Sequence, residues 1–224
     1  AHLLTHAGFG GTPAEIETMR GLVRQGMADG AFGLSSGLFY VPGTFTPTAE
    51  VVELAKVAGA MGGIYISHMR DETAGVLESV RETIEIGEKG GLPTQVTHHK
   101  IIGKTNWGGS VDTLKLIDEA RARGVDATID EYPYTASSTS IQAALIPAYA
   151  LDGGRAEILT RLRTPSLRSY LRPAPARIIA AAPGAARPPN APPARPPSAP
   201  PPPCPPPRPP PHPRAPPPPL PTPP

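Results

Sequence analysis

Two short stretches decide the fold: Ile64-Tyr65-Ile66-Ser67-His68-Met69-Arg70-Asp71-Glu72 and, thirty residues later, Gln95-Val96-Thr97-His98-His99-Lys100. Each stretch begins with β-branched and apolar residues and ends abruptly in histidine and charged residues. This pattern is typical of a buried strand that delivers polar side chains at its C-terminal end. Two such ends at matched spacing predict a functional site.

The same unit repeats along the chain. Predicted strands end near Ser36, His68, His98 and Asp130, at intervals of 32, 30 and 32 residues. Between them lie amphipathic patterns that predict helices, among them one over residues 73–88 that is closed by Gly90-Gly91. Strands and helices that alternate with this period are βαβ units, whose parallel strands close into a (β/α)₈ barrel or form an open doubly wound sheet. We therefore expect an α/β fold with four units, which is about half of a TIM-type barrel of roughly 250 residues.

Two helix starts are visible in the sequence. Thr12-Pro13-Ala14-Glu15 has a threonine at the N-cap, proline at the first helical position and glutamate three residues after the threonine. Thr46-Pro47-Thr48-Ala49-Glu50 predicts a second helix start of similar form, with its glutamate one residue later. We expect the first helix to run to Gly30 and the second to end at Gly62-Gly63.

The composition changes sharply near residue 173. Of the 34 prolines, 27 lie in residues 173–224, a segment that also holds five arginines and no acidic residue or lysine. This segment carries a formal charge of +5, whereas residues 1–172 carry −3. A tract so rich in proline cannot form helix or strand. The sequence thus predicts a partial barrel domain over 1–172 and a disordered, low-complexity Pro/Ala/Arg-rich tail over 173–224.

Several classes of protein are excluded by the composition. The single cysteine, Cys204, permits no internal disulfide, and residues 1–172 show no basic patch for nucleic acid. The sequence has no run of eighteen apolar residues and no signal-peptide pattern at its start. We expect a cytoplasmic protein with no nucleic-acid or membrane partner. Because the chain starts at Ala1 rather than methionine, we also expect it to be a piece of a longer protein.

The two strand ends suggest a metal site. Histidines from neighbouring strands can point at one ion, and imidazole nitrogen is a preferred ligand of zinc and related metals. The alternative is that His68 or His98 is a structural histidine and that residues 70–72 form a solvated loop. Strand alternation predicts that His99 faces away from His98. His2, His6 and His212 are interpreted as incidental.

Four motifs make the prediction specific. In chain order they are Gly30-Ala31-Phe32-Gly33-Leu34-Ser35-Ser36-Gly37-Leu38 with Tyr40-Val41-Pro42-Gly43, then Ser67-His68-Met69-Arg70, then Thr97-His98-His99-Lys100, and then Asp130-Glu131-Tyr132-Pro133-Tyr134-Thr135-Ala136. Together they resemble the N-acyl-D-amino-acid deacylases, or D-aminoacylases, of the amidohydrolase superfamily. The similarity covers roughly residues 12–172.

This resemblance implies the role of several residues. It makes His68 and His98 zinc ligands from the fifth and sixth strands of the family's barrel. It places Tyr40 and Lys100 in the substrate pocket, where Lys100 would hold the free carboxylate of an N-acyl amino acid. Tyr132 and Tyr134 are further candidates for that pocket. The implied reaction is zinc-assisted hydrolysis of an N-acyl-D-amino acid to a carboxylate and a D-amino acid.

The sequence also departs from the family. The family's first-strand His-x-His pair and its metal-bridging cysteine have no counterpart here, and no acidic residue follows Glu157 to act as the general-base aspartate. We therefore assign no catalytic residue. We expect a central piece of a deacylase, inactive alone, whose tail is a frameshifted or low-complexity segment.

Two other functions stay open. The first is hydrolysis of a cyclic amide, as in related amidohydrolases, against which Lys100 argues. The second is an interaction protein, because Pro203-Cys204-Pro205-Pro206-Pro207-Arg208 has a PxxPxR spacing that SH3-type grooves accept. Neither the preferred acyl group and D-amino acid nor the oligomeric state follows from the sequence.

Overall fold

The computed structural model describes residues 10–134 and 136–171. The predicted tail with its PxxPxR segment, together with His2, His6 and His212, lies outside the described residues. The predicted boundary at residue 172 therefore stays a prediction.

The centre of the described part is a four-stranded parallel sheet. Its strands are β1 (Gly33–Gly37), β2 (Ile64–His68), β3 (Thr94–Val96) and β4 (Ala127–Ile129), and they lie side by side in chain order. In the register of the sheet, Gly37 lies beside His68 and Val96 lies beside both Ser67 and Ile129. The predicted α/β class with four βα units is confirmed.

Eight α-helices and two short 3₁₀ helices, Gly43–Phe45 and Lys104–Asn106, accompany the strands in the described part. The four long ones are α1 (Pro13–Ala28), α2 (Thr48–Ala60), α3 (Val76–Gly90) and α4 (Ser110–Ala122). Four shorter ones follow β4: α5 (Ile141–Leu145), α6 (Ala148–Leu151), α7 (Gly154–Arg163) and α8 (Pro165–Leu171). No helix of residues 10–134 and 136–171 is both long and apolar enough to cross a membrane.

The ends of the helices show how the sequence sets them. At α1 the Thr12 hydroxyl accepts from the backbone N–H of Glu15 at 3.3 Å, and the Glu15 carboxylate accepts from that of Thr12 at 2.8 Å, which completes the predicted capping box. At α2 the prediction of a similar start was wrong in detail. Pro47 occupies the cap with no side-chain hydrogen bond, because the helix begins at Thr48.

The two faces of the sheet differ. Tyr65, Ser67 and Val96 are buried on the face that packs against the long helices. Their neighbours in sequence point the other way, and Ile64 on that second face is 37% exposed. In a closed barrel the face without helices lines the interior. The histidine that ends β2 shares this second face with Ile64.

Candidate functional site at the carboxyl edge of the sheet

The site begins where β2 and β3 end. His68 is the last residue of β2, as predicted. His98 was predicted to end the next strand, but β3 stops at Val96, and His98 lies in a turn with φ of 42°. The Asp130 carboxylate at the end of β4 accepts a hydrogen bond from the His98 backbone N–H and another from Gln95 at 2.5 Å. The turn is therefore held from the neighbouring strand.

This turn directs His98 toward His68. The Nδ1 atom of His68 is in direct contact with Nε2 of His98, and the two rings lie 4.5 Å apart between centroids with a tilt of 34°. Burial lowers the pKa of His68, and the neighbouring His98 lowers it further. Both effects favour the neutral imidazole, which is the form that binds a metal.

Glu72 completes this contact from the loop after β2. Its side chain is buried, and Oε1 lies 3.1 Å from His98 Nδ1 and 2.7 Å from Lys100 Nζ. Lys100 Nζ also lies 2.8 Å from His98 Nδ1 and donates to the His98 carbonyl at 3.1 Å. The alternative of a solvated loop was therefore wrong for Glu72. The sequence did hold a signal for this contact, because Lys100, near the end of the next strand, carries the charge complementary to that of Glu72.

The loop that carries Glu72 is ordered by its own hydrogen bonds. The Asp71 carboxylate accepts from the backbone and hydroxyl of Thr73 at 2.6 and 2.5 Å. The Asp71 N–H donates to the Ser79 hydroxyl of α3 at 2.9 Å, and Met69 is fully buried. The Glu72 carbonyl accepts from the Ile102 N–H at 2.7 Å, which joins this loop to the one after β3.

His99 takes no part in the site. It is 5% exposed, and its Nε2 lies 2.8 Å from the Thr113 hydroxyl of α4. That hydroxyl donates to the Ser110 carbonyl at 3.0 Å, so His99 Nε2–H is the donor to Thr113. Burial lowers the pKa of His99. The prediction that His99 faces away from His98 agrees with this placement, and the helix supplies its partner.

A small cavity of about 110 Å³ opens beside the histidines. Tyr40, Lys100 and Tyr132 line it together with His68 and His98, so three of the four predicted pocket residues are brought together. The remaining lining residues are Phe39, Glu72, Ile102, Ser137, Ser138 and Thr139. The fourth predicted residue, Tyr134, is not in the lining. It is 73% exposed and stacks on Tyr132 at 6.4 Å.

The tyrosines of the cavity differ in their hydroxyl groups. The Tyr40 hydroxyl lies 3.2 Å from that of Thr139, which ties the loop after β1 to the segment after β4. The Tyr132 hydroxyl is buried without a hydrogen-bond partner among the described residues. Buried hydroxyls without a partner are uncommon in proteins, and Tyr132 itself lines the cavity.

The two histidine nitrogens that the structure brings together are suitable zinc ligands. His68 Nδ1 and His98 Nε2 converge, and both are atoms that bind zinc in proteins. Within residues 10–134 and 136–171, however, no group of three or more histidine, cysteine, aspartate or glutamate side chains is arranged to hold a metal. The role of the two histidines as ligands stays a prediction.

The fold and the site define a class of protein. The parallel βα units gather histidine, lysine and tyrosine side chains at the carboxyl edge of the sheet. Barrel enzymes have this arrangement and use this edge of the sheet for catalysis.

Comparisons with known proteins narrow this class. The chain is 43% identical over 131 residues to the D-aminoacylase of Alcaligenes xylosoxydans xylosoxydans, a match that covers 58% of this chain and 27% of that protein. It is 42% identical over 125 residues to the N-acyl-D-glutamate deacylase of the same organism, covering 56% of this chain and 26% of the relative. No family model matches the chain.

Two solved structures that are similar to this chain carry the same names as these relatives. The N-acyl-D-glutamate deacylase of Bordetella bronchiseptica, solved with zinc and a phosphonate mimic of the tetrahedral intermediate, matches with a TM-score of 0.55 and 40% identity over 57% of this chain and 27% of that one. A D-aminoacylase described as defining a novel subset of amidohydrolases matches with a TM-score of 0.58 and 32% identity over 75% and 38%. The predicted resemblance to the D-aminoacylases of the amidohydrolase superfamily is confirmed. The chain spans between 26% and 38% of the length of these relatives.

Proposed function

We propose that this chain carries part of the active site of a zinc-dependent hydrolase that cleaves the amide bond of N-acyl-D-amino acids. The observation that carries the proposal is the convergence of His68 Nδ1 and His98 Nε2, which come from adjacent strand ends 30 residues apart. The names of the relatives, D-aminoacylase and N-acyl-D-glutamate deacylase, support the substrate class.

In the proposed reaction, water is added across the amide. The bond between the acyl carbon and nitrogen breaks, the carbon takes the hydroxyl, and the nitrogen takes a proton to leave as the amine of the D-amino acid. A zinc ion bound in such a site lowers the pKa of water to about 7 and polarises the carbonyl oxygen. His68 and His98 would hold that ion. We name no general base, because the two carboxylates that contact His98 are already paired, Glu72 with Lys100 and Asp130 with Gln95 and the His98 N–H.

Lys100, Tyr40 and Tyr132 bind the rest of the substrate in this proposal. The Lys100 ammonium is the cation of the cavity lining and suits the free carboxylate of an N-acyl amino acid. It lies 5.7 Å from the centroid of the Tyr132 ring, and both residues line the cavity. Tyr134, exposed and outside the lining, is not included among the proposed binding residues.

A zinc titration of the 224-residue chain, with binding measured by calorimetry, tests the proposed ligands. We expect weak binding, since two histidines are fewer than the three protein ligands typical of a catalytic zinc site. His68→Gln and His98→Gln should each abolish it. His99→Gln is the matched control because His99 faces Thr113, and it should bind zinc as the wild type does. Binding that survives in both ligand variants would contradict the assignment.

A second experiment tests the substrate class. Binding of an N-acetyl-D-amino acid, its L-enantiomer and a cyclic amide such as hydantoin is followed by NMR in the presence of zinc. We expect the N-acetyl-D-amino acid to bind best and to lose at least tenfold in affinity in Lys100→Met. Stronger binding of hydantoin, insensitive to Lys100→Met, would favour the cyclic-amide alternative. We expect no measurable turnover by this chain, and robust deacylation would refute its proposed incompleteness.

A further inference from the structure

We infer that Glu72 is a positioning residue, which selects the imidazole tautomer of His98 that leaves Nε2 free to face His68. The inference rests on the proposed function, because Nε2 is the atom assigned to the metal. The structural relationship that carries it is the pair of contacts made by one carboxylate oxygen, Glu72 Oε1, with His98 Nδ1 at 3.1 Å and Lys100 Nζ at 2.7 Å.

Two neighbours compete for His98 Nδ1. An ionised carboxylate can only accept a hydrogen bond, so pairing with Glu72 requires a proton on Nδ1 and leaves Nε2 with its lone pair. An ammonium can only donate, so pairing with Lys100, 2.8 Å away, requires a bare Nδ1 and puts the proton on Nε2. The two pairings are mutually exclusive, and only the first makes Nε2 a metal ligand.

The surroundings favour the pairing with Glu72. Lys100 Nζ has two other acceptors within reach, Glu72 Oε1 at 2.7 Å and the His98 carbonyl at 3.1 Å, so its hydrogen bonds do not depend on the ring. Glu72 is 6% exposed, which leaves little room for water to replace His98 as a donor. In metal sites a carboxylate that accepts from the far nitrogen of a histidine fixes both tautomer and ring orientation.

The rigidity of the Glu72 loop supports a positioning role. The hydrogen bonds of Asp71 to Thr73 and to Ser79, and that of the Glu72 carbonyl to Ile102, hold the backbone on both sides of the carboxylate. The same carboxylate neutralises Lys100, so a substrate carboxylate would share the ammonium with Glu72. Glu72 thereby connects the metal side of the cavity with its substrate side.

The test is the tautomer of His98 in the metal-free 224-residue chain, read from long-range ¹H–¹⁵N correlations of the imidazole nitrogens at about pH 8, above the ordinary histidine pKa of about 6.5. The His98 signals are assigned by their loss in His98→Gln. We expect protonated Nδ1 in the wild type and protonated Nε2 in Glu72→Met. Glu72→Gln should retain part of the wild-type pattern, because its amide oxygen still accepts. Glu78→Gln removes an exposed carboxylate of α3 and should change nothing.

Zinc affinity is the second readout. It should fall about 10–100-fold in Glu72→Met, the usual effect of losing such a partner. If Glu72→Met fails to fold, Lys100→Met tests the same competition, and His98 should keep its Nδ1 proton. Protonated Nε2 in the wild type or in Lys100→Met, or an unchanged tautomer in Glu72→Met, would overturn the inference. If the His98 tautomer changes in Glu72→Met but the wild-type chain binds no zinc, the result contradicts the proposed function. It still supports the positioning of His98 by Glu72.

Discussion

The guanidinium of Arg70 forms two hydrogen bonds to the carboxylate of Glu82, at 2.6 and 3.0 Å. The same guanidinium donates to the carbonyls of Thr44 and Thr46 at 2.7 and 2.9 Å, so it joins α3 to the loop that leads from Tyr40 into α2. Arg70 follows the strand end that carries His68 by two residues. Arg70 thus has a structural role beside the site, which the sequence motif alone did not reveal.

Removal of this guanidinium should destabilise the fold. In Arg70→Met the Glu82 carboxylate, whose side chain is 11% exposed, keeps among the described residues only its bond from the Thr48 hydroxyl at 2.7 Å. We expect a loss of about 2–3 kcal/mol in the free energy of unfolding, somewhat below the ~3–5 kcal/mol of a fully buried pair because Arg70 is 28% exposed. Urea unfolding measures it. The matched control is Arg81→Met, which breaks the exposed pair with Glu78 and should leave stability nearly unchanged. Equal losses in both variants would contradict the assignment.

Gly87 marks a close approach between α3 and β3. A Cβ atom at this position would lie 2.6 Å from Cβ and Cγ2 of Thr94. We expect Gly87→Ala to cost about 1–3 kcal/mol through overpacking, although alanine favours a helix by about 1 kcal/mol over glycine. Gly26→Ala in α1, where a Cβ meets nothing within 4 Å, should instead raise stability. Thermal melts of the two variants check the difference in sign, and stabilisation by Gly87→Ala would show that this contact is not tight.

Tyr65 should make stability depend on alkaline pH. Burial raises the pKa of this tyrosine above its ordinary value of 10.0, although hydrogen bonds from Ser36 and Ser67 oppose the shift. Above about pH 10 the unfolded chain loses this proton before the folded chain does, so the stability from Tyr65 is complete below pH 10 and is lost as pH rises through the folded pKa.

The variant Tyr65→Phe separates this effect from general alkaline unfolding. At neutral pH it should be less stable by about 1 kcal/mol, because it lacks the 2.6 Å hydrogen bond to Ser36. The difference from the wild type should shrink above about pH 10. Urea unfolding at several pH values measures it, with the exposed Tyr134→Phe as control. A difference that stays constant with pH would contradict the predicted titration.

The two tyrosines after β4 should differ in ligand binding. Tyr132→Phe removes the buried, unpartnered hydroxyl of a residue that lines the cavity and should weaken binding of an N-acetyl-D-amino acid to the zinc-loaded chain by about 0.5–1.5 kcal/mol, the usual net contribution of a hydrogen bond. Tyr134→Phe, at a 73% exposed side chain, should leave binding unchanged. NMR titration compares the two, and equal effects would show that the lining is wrongly assigned.

Local patterns predicted much of the fold. The capping box at Thr12 and Glu15 and the strand from Ile64 to His68 were found where the sequence placed them, because capping and alternation depend on residues close in the chain. The position of His98 was less accurately predicted. Its strand stops two residues early, since the turn is stabilised by Asp130 from another strand.

The sequence by itself determined the α/β class, the period of the βα units and the presence of one histidine at the end of β2 and another just beyond the end of β3, because each depends on neighbours within one unit. Only the tertiary structure decided that Glu72 is buried against His98 and Lys100, that His99 turns to Thr113, and that Tyr132 enters the cavity while Tyr134 does not. These arrangements depend on how adjacent strand ends and loops pack together, and contacts between residues 14–32 positions apart leave no periodic signal in the chain.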